Sequence, residues 1–172
     1  MTQPFARKAA VLALIFVSAG LLTGCGRNSK AISGQIPDIT LKTHQGETFM
    51  FTGQGKDVTL LVFWATWCGP CLMEIPSLVV FQEKYRDRNF RVVSIIIDDP
   101  EGVKARPLVS SYGINYPILL GSEETTKLFG GIVALPTSFL VGKDGRIKEK
   151  VQGLLPQSEM ERKIEKALAG TT

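Results

Sequence analysis

One histidine, His44, and three cysteines, Cys25, Cys68 and Cys71, are all the imidazole and thiolate that 172 residues offer. A structural zinc site takes about four such ligands. Only Cys68 and Cys71 stand close together in sequence, so no zinc centre organises this chain. Charge of one sign is equally scarce, with 20 Lys and Arg facing 16 Asp and Glu. Setting aside Arg7 and Lys8 leaves 18 against the same 16, far from the concentrated positive surface that nucleic-acid binding requires. The apolar run at residues 9–22 falls short of the roughly 20 residues of a membrane-spanning helix. Internal repeats and low-complexity blocks are absent. At 44% hydrophobic, the chain can bury one well-packed core and is short for two.

What is present begins with that apolar run, which follows Arg7 and Lys8 in the layout of a bacterial export signal. It ends in Leu22-Thr23-Gly24-Cys25, with small residues directly before a cysteine, where a signal peptidase needs narrow side chains. The segment resembles the lipobox of bacterial lipoproteins, and the resemblance implies that Cys25 becomes the lipidated first residue of the mature protein. The expected organisation is a signal peptide at residues 1–24, a lipid-anchored flexible tether at 25–34, and one domain at 35–172. An uncleaved short anchor would export and tether the domain equally. With Cys25 taken by the anchor, Cys68 and Cys71 remain as an even pair in an oxidising, extracytoplasmic compartment.

Along the domain, alternation around Gln45-Gly46 predicts a hairpin of two short strands. The continuous apolar run at residues 57–64 predicts a central strand covered on both faces. A helix is expected from the cysteines to about residue 88, with Pro76 inside it as a kink. A second buried strand follows at 90–98, and strand, helix, strand in this order implies a right-handed parallel crossover. Weaker helices are expected at 101–112 and 123–129, with a short strand at Tyr116-Pro117-Ile118-Leu119-Leu120 between them. Asp144-Gly145 marks a hairpin, and residues 156–169 form an amphipathic helix with Met160, Ile164 and Leu168 on one stripe.

The chemistry concentrates in Cys68-Gly69-Pro70-Cys71, directly after the central strand. A redox pair needs one exposed thiolate and a second sulfur close enough to displace the partner from a mixed disulfide. Two intervening residues at a helix start supply that. Cys68 lies at the helix N-terminus, where unpaired amides and the dipole favour the thiolate, so it is the expected attacking group and Cys71 the resolving one. Gly69 is expected to permit the tight entry, and Pro70 suits a first turn that has no amide donor to lose. A purely structural disulfide would close only a tiny loop, where loop closure contributes least.

The stretch Val62 to Cys71, VFWATWCGPC, resembles the active-site segment of the thioredoxin superfamily, and the order of elements from Val58 to Ala169 is similar to its fold. The N-terminal hairpin, a segment at about 100–122 inserted before the proline loop and the lipoprotein-like start resemble its TlpA/ResA-like branch. The fold implied is α/β, a central mixed sheet flanked by helices, with the added hairpin and insertion. The activity implied is that of a membrane-tethered thiol-disulfide oxidoreductase, working in the reducing direction on exported cysteine-containing proteins and fed by a thiol-type membrane electron donor. Apocytochrome c is a substrate of that branch. No cofactor beyond the Cys68–Cys71 pair and no metal is implied.

Carried over by residue, Trp67 flanks the nucleophile, and Ala134 to Phe139, ALPTSF, matches the cis-proline loop. Leu135 then offers strand-like hydrogen bonds to an incoming peptide, and Pro136 packs against the disulfide in the cis form that proline adopts at modest cost. The candidate substrate-contacting residues are Trp67, Gly69, Pro70, Leu135 and Pro136. Thioredoxin's buried aspartate six residues before the first cysteine is replaced by Val62. Glu74, three residues beyond Cys71 and on the same helix face, matches the active-site glutamate of the branch and is expected among Val62, Phe63 and Pro136 as the base for Cys71. Two other readings stay open. A thiol peroxidase of the same fold would carry a threonine three residues before the cysteine and a proline further upstream, where Ala65 and Leu61 stand here. A non-enzymatic chaperone or Cu(I) carrier would use the cysteine pair as ligands.

Overall fold

The computed structural model describes residues 34–170. The expected signal peptide, the lipidation candidate Cys25 and all of the tether but Gly34 lie outside the described residues.

The sheet is built around β3 (Val58–Trp64), whose seven residues are all buried. Side chains alternate along a strand, so β3 feeds two cores at once. Val58, Leu60 and Val62 join one, with Leu78, Phe81 and Tyr85 of helix α1 (Gly69–Tyr85) and Met160 and Ile164 of helix α4 (Gln157–Ala169). Leu61 and Phe63 join the other, with Ile39, Phe51, Phe129 and Phe139. A strand covered this way has no solvent-facing side, which is why its sequence is apolar at every position but Thr59.

Around β3 the five-stranded order is β5-β4-β3-β6-β7, with β4 (Phe90–Ile96), β5 (Ile118–Leu120), β6 (Thr137–Val141) and β7 (Ile147–Gln152). β4 runs parallel to β3, β5 parallel to β4, β6 antiparallel to β3 and β7 antiparallel to β6. The sheet is therefore mixed, with the parallel crossover through α1. The expected hairpin forms from β1 (Ile39–Lys42) and β2 (Thr48–Phe51). Its turn uses Gly46 at φ 90°, a region open to glycine alone at little cost. The hairpin end covers the short edge strand: Thr43 bridges to Leu119, and His44 N–H donates to the Ile118 carbonyl at 3.0 Å. Covering an edge in this way blocks its pairing with another chain.

Helix ends differ from the sequence expectation for local reasons. α1 runs through Pro76 and stops at Tyr85, and the rest of the expected helix is a 3-10 turn, Arg86–Arg88, closed by Asn89 in the left-handed region. α2 begins at Ala105 (Ala105–Tyr112) rather than 101, because the buried Asp99 carboxylate accepts the Val103 and Ala105 N–H groups at 3.0 and 2.8 Å and holds the preceding residues in a turn. α3 (Glu123–Leu128) starts on a capping box between Ser122 and Thr125. The inserted segment thus contributes α2 and the parallel edge strand β5. No helix among the described residues is long and apolar enough to cross a membrane.

α4 closes the α1 face of the sheet through Met160 and Ile164, with Leu168 half-buried beyond them. Arg88 reaches both carboxylate oxygens of Glu165 at 2.9 Å, but the pair is exposed and contributes little beside the apolar contact. Ile164→Ala should lower unfolding stability by about 2–5 kcal/mol, measured by denaturant titration. A loss below about 1 kcal/mol would mean that this side chain does not anchor α4.

Candidate active site

The chain leaves β3 at Trp64 and reverses in a turn over residues 65–68, closed by Cys68 N–H donating to the Ala65 carbonyl at 3.1 Å. Cys68 is the N-cap of α1: its backbone is extended and its sulfur accepts the Cys71 N–H at 3.3 Å. Cys68 and Cys71 are joined in a disulfide, with Cα atoms 5.2 Å apart. Both sulfurs lie in a cluster with Trp64, Ala65, Ile75, Ile96, Ala105 and Ile118. Cys68 retains slightly more exposure, 5% against 2% for Cys71.

Beside Cys68 opens a groove of about 430 Å³, lined by Trp67, Cys68, Gly69, Pro70 and Ile97 on one side and Ile132, Val133, Ala134 and Leu135 on the other. No charged side chain lines it. Trp67 is 71% exposed and Val133 87%. The Leu135–Pro136 peptide is cis. Leu135 borders the groove, whereas Pro136 is buried and does not line it. Among the described residues the N–H and C=O of Leu135 make no hydrogen bond, although the next residues do: the Pro136 carbonyl accepts from Gly153 N–H at 2.7 Å and Thr137 enters β6.

Two sequence expectations need correction. Gly69 has no positive φ, and a Cβ there would meet nothing within 4 Å, so the turn does not require glycine. Glu74 cannot lie between Val62 and Phe63, because these neighbours on β3 point to opposite faces of the sheet. Val62 joins the core beneath α1, and Phe63 packs edge-on against Phe129 and Phe139 on the other side. Glu74 belongs to the α1 side, where its charge acts on Tyr116.

There Glu74 is 4% exposed and its Oε2 has no hydrogen-bond partner. Burial without a compensating cation disfavours the carboxylate, and its pKa is pushed up to about 7. An acid that titrates near neutrality can both take and return a proton. It follows Cys71 by three residues on the buried face of α1. One interaction was not anticipated: the Asp98 carboxylate accepts both the N–H and the hydroxyl of Thr66, at 3.0 and 2.6 Å. The available signal was position, since both residues lie just past the C-terminal ends of adjacent parallel strands, where α/β sheets build their sites.

The sequence profile described as the AhpC/TSA family matches residues 32–150. The thioredoxin-like protein YneN of Bacillus subtilis is 32% identical over 134 residues, 76% of this chain and 77% of that protein. The thiol-disulfide oxidoreductase ResA of Bacillus thuringiensis is 31% identical over 115 residues, 66% of this chain, and the match spans 64% of that protein's length. Among solved structures, the thiol:disulfide interchange protein, a thioredoxin family protein from Chlorobium tepidum, superposes with a TM-score of 0.72 at 27% identity, covering 80% of this chain and 98% of that one.

The burial of Glu74 has a measurable consequence. Its folded-state pKa lies above the ordinary 4.5, so the folded protein holds this proton more tightly than the unfolded chain does. The stability it contributes is complete below about pH 4.5 and is lost as pH rises through about 7, a change on the order of 3 kcal/mol. Glu74→Gln stays neutral throughout. Compared by denaturant unfolding in the oxidised form, the variant should gain on the wild type by that amount between pH 4.5 and 8. A constant difference across this range would show that Glu74 ionises as an ordinary solvated carboxylate.

Proposed function

The chain belongs to the AhpC/TSA family and has a thioredoxin-like fold, and from this we propose that it is a thiol-disulfide oxidoreductase acting on cysteine-containing protein substrates. The observation that carries the reading is the Cys68–Cys71 disulfide at the N-terminus of α1, beside an uncharged groove whose far wall offers the unpaired backbone of Leu135. An extended peptide could add to Leu135 as a strand adds to a sheet edge, setting its sulfur near Cys68.

In the reducing direction, the Cys68 thiolate attacks one sulfur of a substrate disulfide. A Cys68–substrate disulfide forms and the other substrate sulfur leaves as a thiolate. Cys71 then loses its proton to Glu74 and attacks the Cys68 sulfur. This expels the second substrate thiolate and leaves the Cys68–Cys71 disulfide. Two electrons pass to the substrate, and an external thiol-type donor must return them. Trp67, Gly69, Pro70 and Leu135 border the substrate, while Pro136 backs Leu135 from within. The Gly-Pro dipeptide is that of thioredoxin, whose potential is near −270 mV against about −120 mV for the oxidant DsbA, and this favours reduction.

Export and lipid anchoring through Cys25 complete the proposal. They rest on the N-terminal sequence pattern and agree with an even cysteine pair kept for redox work. Exported proteins, apocytochrome c among them, are then the substrate class, and a membrane-bound thiol protein the donor. Peroxide reduction is the weaker reading: Ala65 and Leu61 are buried hydrocarbon, and the adjacent Thr66 hydroxyl is committed to Asp98.

Cys68→Ser should abolish reduction of a protein disulfide, while Cys71→Ser should complete one attack and stall as a mixed disulfide detectable by mass spectrometry. Equal single-turnover attack by Cys68→Ser and wild type would reverse the two roles. A reduction potential above about −150 mV would assign the pair to oxidation instead.

A further inference from the structure

The ladder between β3 and β4 continues one step past the strands, where Ile97 N–H donates to the Trp64 carbonyl at 3.1 Å. Beyond it the chain turns away from the sheet, and Thr66 finds no backbone partner on the β4 side. The Asp98 side chain fills that place. Its Oδ1 accepts the Thr66 N–H at 3.0 Å and its Oδ2 accepts the Thr66 hydroxyl at 2.6 Å, across 32 residues of sequence. Asp98 is held in turn by Lys104, whose Nζ donates to the Asp98 carbonyl at 2.9 Å and lies 3.8 Å from Oδ2. The Asp98 side chain is only 14% exposed, so these charge-assisted bonds are little weakened by solvent.

Thr66 is the first residue inside the turn that Cys68 closes. Anchoring it fixes the direction in which Trp67 and Cys68 leave the sheet. We propose that Asp98, acting through Thr66, is a positioning residue that holds the Cys68 sulfur on the Cys71 N–H at the N-terminus of α1. The role rests on the thiol-disulfide reading of Cys68 and Cys71, and it is one of geometry. A carboxylate in the neighbourhood of a thiolate opposes its charge, an opposition eased by Lys104 and the two Thr66 donors. Charge alone would favour any neutral residue at position 98. The two hydrogen bonds favour a side chain whose two polar atoms can meet both the Thr66 N–H and the Thr66 hydroxyl.

This separation sets the experiment. Asp98→Asn removes the charge yet keeps both contacts, since its amide oxygen accepts the Thr66 N–H and its NH₂ donates to the Thr66 hydroxyl. Asp98→Ala removes the charge and both contacts. In the reduced protein at pH 7, Asp98→Ala should react with 5,5′-dithiobis(2-nitrobenzoate) about three-fold more slowly than Asp98→Asn, the fall in thiolate fraction being partly offset by the greater nucleophilicity of a higher-pKa thiolate. Its low-pKa thiol, followed by thiolate absorbance, should titrate about one unit higher. A merely structural role would lower the melting temperature of Asp98→Ala without separating the two titrations. Equal attack rates and equal titrations in Ala and Asn would overturn the proposal. Should Asp98→Ala not fold, Thr66→Val and Thr66→Ser decide: Ser keeps the hydroxyl bond and should attack about three-fold or more faster than Val, and equal rates would refute the role. Both readouts work without a protein substrate. A difference that persists in a protein unable to reduce protein disulfides would retain the positioning role and reject the oxidoreductase reading.

Discussion

Burial of β3 on both faces is the constraint from which the site follows. Three of its side chains are committed to the core under α1 and α4 and two to the core under the hairpin and α3. Each buried aliphatic or aromatic side chain contributes about 1.5–3 kcal/mol, and a one-residue slip would exchange the two faces. The register of β3 is thereby fixed, and with it the point at which the chain must leave the sheet. The turn after Trp64 and the start of α1 inherit that fixed position. Cys68 is therefore placed by two cores to which its own side chain does not belong, since it sits in a third cluster at the end of β3.

Two opposed electrostatic environments sit within two turns of one helix. At its N-terminus, the Cys71 N–H already points at the Cys68 sulfur, and with the helix dipole this favours a negative sulfur. One turn on, Glu74 is shut away from water with one oxygen unpartnered, which favours its neutral form. A single helix thus holds one group ready to be an anion and another reluctant to be one. Acid and base roles are commonly separated by environments of this kind. The cost in stability at neutral pH is the same quantity that makes Glu74 a usable proton acceptor.

Much of this was legible in the sequence because it is local. The apolar run of β3, the Gln45-Gly46 and Asp144-Gly145 turns and the 3.6-residue stripe of α4 each encode their element without long-range information. The Cys68–Cys71 pair was legible for the same reason. The rest depends on packing across distance. That Val62 and Phe63 separate to opposite faces is implicit in strand alternation, but that Glu74 lies on the Val62 side required α1 to be docked. The start of α2 depends on Asp99, whose carboxylate competes with helical bonding. The Asp98–Thr66 contact joins residues 32 apart, and neither residue is unusual in its own segment.

The exposed surface around Cys68 is what folding alone would not select. Trp67 and Val133 stand largely in solvent, and Leu135 presents an unpaired N–H and C=O just before β6 enters the sheet. Exposed apolar side chains beside unpaired strand-like backbone invite association with other chains. At the β5 edge of the sheet the same hazard is removed, since the β1–β2 hairpin end covers that strand. The chain thus closes the β5 edge and leaves open the backbone at Leu135 that borders the groove beside Cys68. The open stretch is short: among the described residues the N–H groups of residues 132–135 make no hydrogen bond, between a bonded Gly131 N–H and a bonded Pro136 carbonyl. A partner can therefore add only a brief extended segment, held in place next to Cys68, the cysteine that lines the groove.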